Sequence, residues 1–86
     1  MITTFEELFE KMKADGKNWI PLHNMYHSYL HWYGETQKES GSRRSTARSI
    51  KNRDAENLMG YLSCLRDLGY ISESEYGKLW GGLDNI

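Results

Sequence analysis

Apolar positions recur with helical spacing directly after a clear start signal near the N-terminus. Thr4 and Glu7 read as a capping box, and Phe5, Leu8, Phe9 and Met12 follow at i, i+3, i+4 and i+7 until Gly16 stops the pattern. Glu6, Glu10, Lys11 and Lys13 fall on the other face. A second helix is predicted to start between Asn18 and Pro21, because proline is accepted in a first turn and disfavours helical geometry in the residue before it. Its apolar set, from Leu22 to Tyr33, covers about 160° at about 100° per residue. Gly34 is the expected C-terminal cap, with a polar extension through Glu39 as the alternative.

Farther along, Asn52 or Asp54 is expected to cap a third helix carrying Leu58, Tyr61, Leu62, Leu65 and Leu68, closed by Gly69. Ser72 with Glu75 forms another capping box and opens a short fourth helix with Tyr76, Leu79 and Trp80. Gly77 weakens that helix by roughly 1 kcal/mol relative to Ala. The tail GGLDNI is expected to fray. Between the second and third helices, residues 34–53 read as a long connection, and its part 38–53 has almost no apolar anchors beyond Ala47 and Ile50.

Composition strengthens the helical reading. The chain has no Val, while Leu and Met, which lose little rotamer freedom in a helix, contribute 13 of its 86 residues. Leu, Ile, Val and Phe sum to only 16, and the 11 aromatic residues supply the remaining core material. The expectation is an all-α fold: one domain spanning 1–86, a small bundle of about four helices with a long basic connection between helices 2 and 3. A chain this short buries only about 60% of its unfolded surface, which leaves no room for a large internal cofactor pocket, so no cofactor is expected.

Charge is balanced overall and uneven along the chain. The net charge is −1, so bulk charge points to neither nucleic acid nor membrane. Segment 38–53 nevertheless holds six basic residues and one acid, a charge of +5 against −6 for the rest. The single Cys64 excludes an internal disulfide and a Cys-rich zinc module, and suits a reducing cytoplasm. No apolar run reaches the length of a membrane span, and Met1 to Glu10 alternates apolar with acidic residues, unlike a signal peptide.

Candidate chemistry is sparse. His23, His27 and His31 lie at i, i+4 and i+8 on the flank of the second helix, where two neighbours have a spacing known from metal sites. The rise from His23 to His31 is about 12 Å, too long for three ligands on one ion, and no HExxH or cysteine pair completes a set. No metal is expected, and the row reads as an accessible, partner-facing surface together with Trp32. Glu6, Glu7, Glu10, Glu73 and Glu75 sit in helix first turns or on outer faces, where carboxylates cap the backbone and complement the dipole. Cys64, between Tyr61 and Leu68, is expected to be a small core residue. Phosphate-loop, GxSxG and dinucleotide motifs are absent, so the chain is expected to lack catalytic activity.

The basic segment is the strongest pointer. Arg43, Arg44, Arg48, Lys51 and Arg53 fall within eleven residues, with Ser42, Ser45, Thr46 and Ser49 as hydrogen-bond donors to phosphate oxygens. If 45–53 is helical, Arg44, Arg48 and Lys51 share a face at i, i+4 and i+7 and form a stripe matched to a phosphate backbone. The competing interpretation is a solvated loop that balances the acidic helices. The expected function is binding: engagement of nucleic acid or of a nucleic-acid-handling protein complex, with regulation or inhibition by occupancy. The alternative is a protein-interaction module or homodimer, an accessory or inhibitor protein of the phage type, whose aromatic helix faces form the interface. Of Trp19, Trp32 and Trp80, at least one is expected to remain partly exposed.

Overall fold

The computed structural model describes residues 1–38 and 41–84, with the side chains of 41–43 and 84 left aside. Four helices follow one another: α1 (Phe5–Ala14), α2 (Ile20–Lys38), α3 (Gly41–Asp67) and α4 (Glu73–Asp84), with no strand among the described residues. The fold is all-α.

Local signals set most helix ends. The Thr4 hydroxyl accepts from the Glu7 N–H at 3.2 Å, and the Glu7 carboxylate accepts the Thr4 and Thr3 N–H groups in return, which fixes the start of α1. At its end Gly16 takes φ +69°, a conformation that side chains with a Cβ resist. The Lys17 N–H then reaches back to the Met12 carbonyl at 2.8 Å. The same closure recurs after α3, where Gly69 at φ +78° lets the Tyr70 N–H bond the Leu65 carbonyl at 2.9 Å. Ser72 and Glu75 exchange side-chain-to-backbone bonds at the start of α4.

The core gathers the predicted stripes. Phe5, Leu8, Phe9 and Met12 of α1 meet Leu22, Tyr26 and Tyr29 of α2, Leu58 and Leu62 of α3, and Leu79 and Leu83 of α4. Phe5 stacks on Tyr26 with ring centroids 4.2 Å apart and planes 15° from parallel. Two polar ties span the chain: the Ile2 N–H donates to Glu75 Oε2 at 2.8 Å, and Tyr29 Oη donates to the Leu83 carbonyl at 2.9 Å. Residues 81–84 are helical and Leu83 is buried, where sequence reading expects a frayed tail; 85–86 of that tail lie outside the described residues.

The middle of the chain departs most from expectation. α2 passes through Gly34 to Lys38, and α3 is already helical from Gly41, so Arg44 to Arg53 belong to a 27-residue helix. Of the expected connection, 39–40 lie outside the described residues. Asp54 caps nothing: it sits mid-helix, 8% exposed, and accepts a hydrogen bond from Ser28 Oγ at 2.6 Å. Lys51 Nζ lies 5.5 Å from the centre of the Tyr33 ring. Rising numbers on α2 thus meet falling numbers on α3, an antiparallel hairpin whose register brings Thr36 level with Ala47. Both are buried, at 5% and 2% exposure. That burial carries α2 past Gly34, whose cost in a helix is about 1 kcal/mol.

Candidate nucleic-acid interface

The cations of the basic segment are sorted by the helix that carries them. At about 100° per residue, Arg44, Arg48 and Lys51 fall within an arc of about 60° on α3, while Arg53 points about 180° away from Arg44. Arg44, Arg48 and Arg53 are exposed and Lys51 is half-buried. The Arg43 side chain lies outside the described residues. Arg44 and Arg48 have no local carboxylate at i±3 or i±4, since the nearest acids in α3 are Asp54 and Glu56. Ser45 and Ser49 are exposed on the outer side of the same helix.

The row also has a place in the layering. The last described turn of α4 abuts α2 through the Tyr29–Leu83 hydrogen bond, and abuts α3 where Leu83 and Trp80 border a cavity shared with Lys51, Asn52 and Ala55. Arg48 and Arg44 lie one and two turns farther toward the start of α3, past α4. The strip of α3 that α4 covers at Ala55 therefore continues, among the described residues, to the exposed side chains of Arg48 and Arg44, with Tyr33 beneath Lys51.

The cavity at the foot of the row was not foreseen as a site. It measures about 320 Å³ and is lined by Asn52, Glu56, Ala55, Lys51, Leu83 and Trp80, together with Tyr29. Trp80 is 37% exposed, the most open of the three tryptophans. A signal for this was present: Trp80 follows Leu79 directly, so on a helix whose inner stripe is Leu79 and Leu83 it points about 100° from the first and about 60° from the second.

The histidines do not form a uniform exposed row. His23 is half-buried, edge-on to Phe9 and to Trp19 with both centroid distances 5.2 Å, whereas His27 and His31 are exposed. His27 lies 4.2 Å from His23, and His31 is edge-on to half-buried Trp32 at 5.0 Å. Among the described residues no group of three or more His, Cys, Asp or Glu is arranged to hold a metal ion.

Glu7 and Glu75 act on the backbone, whereas Glu10 and Glu73 pair with Lys13 and Arg66. The Thr3 hydroxyl, then the Thr3 N–H and the Thr4 groups, hold the Glu7 carboxyl below the usual range. The Ser72 N–H and next the Ile2 N–H do the same for Glu75. Tyr70 is pushed up to about 12 by burial and by donating its hydroxyl to Asp15 at 2.7 Å. Cys64 is exposed, not a core residue, because it lies about 200° around α3 from buried Leu62.

A second cavity, of about 430 Å³, opens at the far end of the molecule between Met12, Tyr61, Leu65 and Tyr70. Leu68 at its rim is 77% exposed instead of packed, since it stands at the reversal just before Gly69. No described helix is long and apolar enough to cross a membrane. Set against family models, curated proteins and solved structures, the chain matches none of them.

Proposed function

We propose that this protein is a non-catalytic binding protein that engages nucleic acid, free or within a nucleic-acid-handling protein complex, and regulates or inhibits its target by occupancy. One observation carries the reading: Arg44, Arg48 and Lys51 share one face of α3, with Arg44 and Arg48 exposed beyond the described end of α4. Cations at successive turns lie about 4.5 to 6 Å apart along the axis, a spacing that follows a phosphate backbone. Because α3 is held against α2 by Ser28–Asp54 and by Thr36 and Ala47, the row is positioned before binding, which lowers the ordering cost. The exposed free thiol of Cys64 suits a reducing, cytoplasmic setting.

The alternative, an interaction module or homodimer built on aromatic faces, has less material to work with. Tyr26 and Tyr29 are buried, and Trp19, Tyr33, Tyr61 and Tyr76 pack on the core. What favours it is Leu68 beside the larger cavity. Changing Arg44, Arg48 and Lys51 together to Ala separates the two: nucleic-acid binding is lost in the folded triple variant under the first reading. A protein complex that keeps full affinity in that variant, with no DNA or RNA binding by the parent at low salt, supports the second.

A further inference from the structure

We infer that the notch at the end of α4 is a nucleobase subsite, so that the nucleic acid bound is single-stranded and one of its bases leaves the backbone path to stack on Trp80. The inference deepens the proposed phosphate-binding reading and rests on it. Lys51 connects the two features, because it belongs to the cation row and also lines the notch. A strand whose phosphates follow Arg44, Arg48 and Lys51 therefore arrives at the notch.

The chemistry of the notch fits a base better than an apolar side chain. Its volume of about 320 Å³ lies at the small end of ligand pockets, enough for one ring system. Trp80 lines the notch with a partly exposed indole and Leu83 stands behind it as an apolar side chain, while Asn52 and Glu56 bring an amide and a carboxylate. An amide donates and accepts, and a carboxylate accepts from an exocyclic amine, which are the groups a base edge presents. Trp80 is also the tryptophan with the most open surface, and a base stacked on such a ring adds affinity with little sequence preference. A duplex keeps its bases inside its own stack and offers none to the notch, so only a single strand or an extruded nucleotide uses both features.

The test uses the full chain and a strand of about twelve nucleotides, within the range that single-strand binding folds occupy. The strand is prepared as DNA, as RNA, as a DNA duplex, and as an abasic DNA strand with phosphates and sugars only. Affinity is followed by fluorescence anisotropy for the parent, Trp80→Ala, Trp80→Phe, and the double variant Arg44→Ala/Arg48→Ala. Single strands bind more tightly than duplex. Trp80→Ala and base removal each weaken single-strand binding about fivefold or more, Trp80→Phe retains most of it, and duplex binding and its salt slope stay put. The DNA and RNA arms identify which backbone is preferred. Should Trp80→Ala fail to fold by circular dichroism, the abasic strand on the parent protein decides alone. An abasic strand that binds as well as the intact one overturns the subsite, while a loss in the double variant leaves the phosphate row standing. Absence of binding to every strand at low salt overturns the row and the subsite together.

Discussion

Ser28 Oγ donates to Asp54 Oδ2 at 2.6 Å, a bond between the middle of α2 and the middle of α3 in which Asp54 is almost wholly buried. It pins the register of the hairpin that carries the cation row. A buried carboxylate deprived of its donor keeps its desolvation cost, so Ser28→Ala is expected to destabilise by about 1.5 to 3 kcal/mol in denaturant unfolding. The double variant Ser28→Ala/Asp54→Ala should lose less than the sum of the two single changes, since each removes the same interaction. Strict additivity would show that the two residues do not act as a pair.

Leu62 and Leu68 occupy one predicted stripe and have opposite surroundings. Leu62→Ala is expected to cost about 2 to 5 kcal/mol, a large part of the stability of so small a domain. Leu68→Ala, at an exposed position, should stay within about 0.5 kcal/mol. Leu65, half-buried, falls between them. Thermal melts of the three variants establish the order, and equal effects at Leu62 and Leu68 would contradict the placement of the core.

Glu7 and Glu75 give the protein a predictable acid response. Both have folded-state pKa values lowered from 4.5 by hydrogen bonds from backbone N–H groups and hydroxyls. Their contribution is therefore fully present above about pH 4.5 and disappears as pH falls through the lowered values. Glu7→Gln keeps a capping side chain at the third helical position but does not titrate. Its melting temperature should lie below the parent's near neutral pH, where the carboxylate contributes, and the gap should close as pH falls between about pH 5 and pH 2.

How much of this was legible depended on sequence distance. The start of α1 and the ends of α1 and α3 were readable because Thr4–Glu7, Gly16 and Gly69 act within a few residues. The hairpin was not, because Gly34 and the Ser- and Arg-rich segment are poor local helix formers and what sustains them is pairing across the chain. One signal was present: Ala47, Ile50, Asp54 and Leu58 keep helical spacing back into the basic segment, with Asp54 in an inner position instead of at a cap. The Ile2–Glu75 bond joins residues 73 apart and left no local trace. For the candidate interface, residue type identified the cations, but only the helix separates Arg44, Arg48 and Lys51 from Arg53. Only the end of α4 defines the notch.

Arg53, on the opposite face of α3, is the internal control for the cation row. Arg53→Ala should change nucleic-acid affinity less than Arg44→Ala or Arg48→Ala, with all three folded to the same degree by circular dichroism. A ranking with Arg53 first would place contact on the outer face of α3, away from the strip past α4.

The slope of binding affinity against salt concentration, measured for the parent and for the Arg44→Ala/Arg48→Ala/Lys51→Ala variant, tests the central claim most directly. Each lost phosphate contact lowers the slope by about 0.7 to 0.9, so the triple variant is expected to lose roughly 2 to 3 while its melting temperature changes little. Equal slopes in the two proteins would contradict the assignment of phosphate contact to this face.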